Sequence, residues 1–237
     1  MLTSTSRMAA LTIACAAAIG FSVQADAGVR HAHGTRHANG QTTRWHGTRV
    51  TGENGGQVGH GAKTVRDRED DTVTRTRGTN VTGPNGGEVK HGANTVYGPD
   101  GTVTHTGSTS ATGANGGTAT GSNTYTKNAD GSSEFTHTVS GTTAKGTDFT
   151  KTTDMSKSAD GTRSGSSETT VNGANGGSVN KNTTAADGTV TRNTDLTTKN
   201  GATYNGTTTY TKGQGVTHTG TCTDAQGNTI TCPNQQH

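Results

Sequence analysis

Two interleaved series of turns, held at fixed spacing, constrain this chain more than any other feature. Asn-Gly-Gly occurs at Asn54, Asn85, Asn115 and Asn175, in steps of 31, 30 and 60, with a degenerate copy near Lys145-Gly146. Midway between these sit Asp70-Asp71, Asp100-Gly101, Asp130-Gly131, Asp160-Gly161 and, slightly early, Asp187-Gly188. The lead-in recurs too, as Val50-Thr51-Gly52, Val81-Thr82-Gly83, Ala111-Thr112-Gly113 and Val171-Asn172-Gly173. After Asp187 the spacing tightens, through Asn200-Gly201, Gly213-Gln214-Gly215 and Gln226-Gly227. Register kept over this length signals a repeat architecture, here a unit of thirty residues made of two halves of fifteen.

Asn-Gly and Asp-Gly are favoured centres of tight β-hairpin turns, where both central positions need positive φ. Between turns the chain alternates with period two, the pattern of a strand with two different faces. In residues 118–126 one face carries Thr and Ser, and the other carries Ala119, Gly121, Asn123 and Tyr125. Residues 133–139 place Ser133, Phe135, His137 and Val139 opposite Glu134, Thr136 and Thr138. Threonine is β-branched and favours the pleated conformation. Strict alternation of two turn types predicts an all-β, up-and-down antiparallel meander of about fourteen strands, with Asn-Gly-Gly turns at one end and Asp-Gly turns at the other. The alternative is a β-solenoid, in which every coil of fifteen residues is equivalent.

Composition narrows this further. Only 24% of the 237 residues are hydrophobic and 3% aromatic, against about 45–50% apolar in an ordinary globular domain. One oily core cannot offset the cost of ordering such a chain, so backbone ladders and side-chain rows must contribute. An outer-membrane barrel would need an outward apolar band and aromatic girdles, which these Thr, Ser, Asn and Gly faces lack. Arg7, the apolar run from Met8 to Phe21 and Ala25-Asp26-Ala27 have the layout of a secretory signal peptide. The organisation expected is therefore a signal peptide over 1–27, a His/Arg-rich flexible arm over 28–49 and a β-repeat domain over 50–237. The protein is expected to be exported, to the cell surface, the extracellular space or the periplasm, with no transmembrane segment.

Candidate sites are few. The arm mixes His31, His33, His37 and His46 with Arg30, Arg36, Arg44, Arg49 and Trp45, without one acid. Imidazoles suit divalent copper, nickel or zinc, so these four histidines are candidate metal ligands; the positive charge equally suits anionic lipid or polysaccharide. Val103-Thr104-His105-Thr106-Gly107 reappears as Val216-Thr217-His218-Thr219-Gly220, and drift of a face-forming position accounts for it. The calcium β-roll pattern, G-x-S-x-G, GxxxxGK[ST] and H-E-x-x-H are all missing, so no enzyme and no cofactor are expected. A net charge of +3 with one Trp argues against nucleic acid, which wants clustered cations and stacking aromatics. Cys222 and Cys232 are expected to face each other across a terminal hairpin centred on Gly227 and to form a disulfide.

The phrases Val81-Thr82-Gly83-Pro84-Asn85-Gly86-Gly87 and Asp100-Gly101-Thr102-Val103-Thr104 resemble those of Thr/Gly-rich repeat proteins exported by proteobacteria. That resemblance spans about residues 50–230 and implies no functional residue. Curlin-type fibre subunits are similar in composition and strand-turn repetition, without the regular Gln/Asn ladder. The expected function is a secreted, non-enzymatic structural, matrix or adhesive component that associates with itself or with a cell-surface polysaccharide. A glycan-, ice- or metal-binding module is the alternative.

Overall fold

A computed structural model describes residues 28–232; the signal peptide expected over 1–27 lies outside them. The described chain is one open antiparallel sheet of fifteen strands in sequence order, not closed into a barrel. The strands are β1 (Gly28–Ala38), β2 (Gln41–Thr51), β3 (Gln57–Asp67), β4 (Thr72–Thr82), β5 (Glu88–Tyr97), β6 (Val103–Thr112), β7 (Thr118–Lys127) and β8 (Ser133–Thr142). They continue as β9 (Asp148–Lys157), β10 (Arg163–Asn172), β11 (Ser178–Ala186), β12 (Thr189–Thr197), β13 (Thr203–Thr211), β14 (Gly215–Thr223) and the short β15 (Thr229–Ile230). The meander expected from the turns is the observed fold, and the solenoid is not. Each strand touches only its neighbours in sequence.

The segment expected as a flexible arm over 28–49 is instead β1 and most of β2, paired along their whole length from Gly28↔Thr51 to Ala38↔Gln41. Asn39 and Gly40, at φ 49° and 73°, form the two-residue turn between them. The strand count is accordingly fifteen rather than about fourteen.

The repeating turns also differ from expectation. Asn54, Asn85, Asn115 and Asn175 do not adopt positive φ; the following Gly55, Gly86, Gly116 and Gly176 do. In the first, the N–H of Gly55 donates to the carbonyl of Gly52 at 3.0 Å, and the N–H of Gly52 to that of Gly56 at 2.8 Å. This is the three-residue hairpin loop, a type I turn followed by one left-handed residue. The Asp-Gly turns use the same geometry, for example Gly131 to Asn128 at 3.1 Å and Asn128 to Ser132 at 2.9 Å. The physical reason is steric, since a left-handed non-glycine residue costs roughly 1–2 kcal/mol. This loop places only the glycine there. Asn39 and Asp187 take positive φ because their loops are one residue shorter.

The last turn follows the same rule and moves the cysteine register. Asp224 and Asn228 close the loop, so Cys222 pairs with Ile230 rather than Cys232. The expected disulfide is present nevertheless, with Cα atoms 5.2 Å apart. Cys232 reaches Cys222 on the diagonal, from the same face. Of the described residues, only Cys222 and Gly107 are buried. The described chain is a single layer, wet on both sides.

Candidate functional site

Directly paired residues share a sheet face, and alternate residues along a strand share it too. Following the pairs across all fifteen strands divides the side chains into two sets of different chemistry. One face, the histidine face, holds every histidine of the described residues: His31, His33, His37, His46, His60, His91, His105, His137 and His218. No strand Asp or Glu lies on it. Asp67, Glu88, Glu134, Asp148, Asp154, Glu168 and Asp195 all fall on the opposite, threonine face. Trp45 does too, lying over Gly34, where an added Cβ would meet its indole at 2.6 Å.

An apolar row runs along one end of the histidine face. It starts Val29↔Val50↔Val58↔Val81↔Val89↔Ala111 and continues through Phe149, Val171, Val179 and Leu196 to Tyr204 and Cys222. Apart from the buried Cys222, these side chains remain at least partly open to solvent; Val29 is 58% exposed and Val89 43%. Tyr204 lies across Gly206 and Gly220, covering backbone that has no side chain of its own.

The histidines are held by their partners across the ladder. His31 Nδ1 meets the Thr48 hydroxyl at 2.9 Å, His60 meets Thr79 at 3.0 Å and His91 meets Thr109 at 2.9 Å. His37 with Thr42, His105 with Thr95 and His218 with Thr208 repeat the contact at 2.8–3.0 Å. His218 also meets the Tyr204 hydroxyl through Nε2 at 3.1 Å. The sequence pattern marked the Thr-His-Thr phrases but not this contact, which depends on which strand lies opposite.

The four candidate metal ligands all stand on the histidine face. His33 and His46 are directly opposed, whereas His31 faces Thr48 and His37 faces Thr42. His46 and His60 have ring centroids 6.3 Å apart. Among the described residues, no group of three His, Cys, Asp or Glu converges as a metal site would require. A shallow depression of about 420 Å³ lies over Phe135, Met155, Gly165 and Ala185, where the glycine leaves a dip.

Carboxylates gather at the turns. The hydroxyl and N–H of Thr102 donate to Asp100 at 2.7 and 3.0 Å, and those of Ser132 to Asp130 at 2.6 and 2.9 Å. These bonds hold both carboxyls below the usual carboxylate range. The N–H of Thr162 does the same for Asp160. No protein family matches the chain, and neither a curated protein nor a solved structure is similar to it. Among the described residues, no helix is long and apolar enough to cross a membrane.

Proposed function

We propose that this is an exported, non-enzymatic structural protein, acting as an adhesive sheet in a matrix or at a surface and associating with copies of itself. The observation that carries the reading is the single uncovered layer. An apolar row, interrupted at Gly141, runs across the sheet and stays at least partly open to solvent as far as the buried Cys222, and among the described residues β1 pairs only with β2. Its outer N–H and C=O groups form an edge eleven residues long, the kind of edge that recruits another strand. At the far side, among the described residues, β15 pairs only with Cys222 and Thr223, leaving the rest of β14 as a second edge. A chain with so little apolar burial gains stability by adding neighbours. Sedimentation velocity over a hundredfold range near micromolar concentration tests this. Concentration-dependent growth is expected; one monomer boundary throughout contradicts it.

A second reading draws on the threonine face. In-register threonines such as Thr112↔Thr118↔Thr142 and Thr106↔Thr124↔Thr136 form flat rows of hydroxyls, a surface suited to ordered water or glycans through many weak contacts. Thermal hysteresis in a freezing assay would favour this reading over assembly.

A further inference from the structure

We propose that the histidine face over β1–β6 docks a linear acidic polysaccharide, gripping it more tightly as pH falls. This deepens the adhesive reading above by naming what one face adheres to, and it rests on that reading.

Two rows cross the histidine face over these strands. One runs His31↔Thr48↔His60↔Thr79↔His91↔Thr109, and the other runs Thr35↔Arg44↔Thr64↔Arg75↔Thr95↔His105. Each alternates a cationic or protonatable group with a hydroxyl, and the two rows are out of phase by one strand. Strands lie about 4.8 Å apart, so like groups recur every ~9.6 Å along a row. A polysaccharide with one carboxylate on every second sugar presents anions with a neutral, hydroxyl-rich unit between them, in the same alternation. Duplex DNA places a charge every 3.4 Å along each strand, much denser than these rows. A bilayer offers no fixed linear spacing, and insertion into it favours a helix with Trp, Phe and Leu on its apolar side. Here Trp45 sits on the other face.

Charge complementarity selects an anionic occupant over a second copy of the same face. The groups facing this surface are His31, His33 and His37 from β1, Arg44 and His46 from β2, and His60 and Arg66 from β3. Arg75 and Arg77 from β4, His91 and Tyr97 from β5, and His105 from β6 complete it. All but Tyr97 are cationic or become so by protonation. Arg75 lies 5.1 Å from the Tyr97 ring centroid, and Arg66 reaches Asp71 of the adjoining turn at 3.9 Å. Imidazole is the side chain that gains charge between about pH 8 and 5, and no strand acid on this face offsets that gain. In the ladder the threonine engages Nδ1 of His31, His60 and His91, leaving Nε2 as the polar atom for the ligand.

Titration calorimetry of the full chain with hyaluronan, at low salt and at pH 5.5 and 8, tests the proposal. Binding at pH 5.5 is expected, weakening about tenfold or more at pH 8. Arg44→Ser with Arg75→Ser should weaken it about tenfold at both values, and Arg44→Lys with Arg75→Lys should largely restore it. His31→Gln with His60→Gln and His91→Gln should flatten the pH dependence. Arg49→Ser with Lys63→Ser removes the same charge from the threonine face and should leave affinity unchanged. Equal loss from the threonine-face pair, tighter binding of duplex DNA or phosphatidylglycerol vesicles at matched charge, or no binding at pH 5.5 would each overturn the proposal. Sedimentation run beside the titration separates the two readings: self-association without hyaluronan binding removes this assignment alone.

Discussion

Reducing the Cys222–Cys232 bridge should loosen one end of the sheet and leave the middle untouched. The cysteines are ten residues apart in sequence, and closing a loop of that size removes about 2.7 kcal/mol of chain entropy from the open state. Little else holds the end. β15 contributes two ladder pairs, Cys222↔Ile230 and Thr223↔Thr229, each worth about 0.2–1 kcal/mol. Ordering each residue from 224 to 232 costs roughly 1–2 kcal/mol. Without the bridge this hairpin frays. Because strands touch only their neighbours in sequence, the loss should stay local, as in a one-dimensional array. Hydrogen exchange read by NMR can follow the amides of Asp224 and Gly227, bonded to Asn228 and Asp224 in the last turn. Both should exchange about 100-fold faster in Cys222→Ser with Cys232→Ser, the factor equivalent to that entropy. The amides of Gly116 and Gly146, which close turns in the middle of the sheet, should not change. An equal acceleration at Gly116 would refute local coupling, and no acceleration at Asp224 would refute the role of the bridge.

Gly141→Val should destabilise β8 and β9 by about 1–3 kcal/mol, because its Cβ would come within 2.8 Å of the Phe149 ring and 2.9 Å of the Ala119 Cα; denaturant melting reads the loss. Gly116→Ala should cost about 1 kcal/mol through φ alone, since nothing lies within 4 Å of the added methyl at φ +87°. Asp100, Asp130 and Asp160 have depressed values in the folded state, so their contribution is complete above the unfolded value near 3.9. It is lost as pH falls from there through the folded values. Acid unfolding should therefore begin below about pH 4, and Asp100→Asn with Asp130→Asn should make the melting temperature less sensitive to acid.

The meander was legible because turn chemistry repeats along the chain and strand alternation fills the gaps, as in β7 and β8. Asn39-Gly40 carries the same signal, yet the histidines and arginines around it have the composition of a solvated arm; pairing with β3 makes that segment part of the sheet. The cysteine register lies two residues from direct opposition because the left-handed Gly227 ends an asymmetric loop, and spacing about Gly227 alone does not carry that asymmetry. Segregation of charge between faces was hidden for a related reason. Three-residue loops preserve which parity points to a given face, whereas the even loops at 39–40, 68–71 and 187–188 reverse it. The sequence pattern reverses with them: His33 is odd-numbered, His46 and His60 are even-numbered, and His91 is odd-numbered again. A single strand shows the alternation. Only the ladder register shows that all the histidines of the described residues agree.

Small-angle X-ray scattering of the chain from residue 28 onward, extrapolated to infinite dilution, tests the single open layer most directly. Fifteen strands make a slab about 67 Å across, 33 Å long and 10 Å thick, with a radius of gyration of about 22 Å. A compact domain of the same length would give about 17 Å and an unfolded chain about 49 Å. A value near the slab's, with the scattering profile of a flat particle, is the predicted result; a compact or an unfolded value would contradict the account.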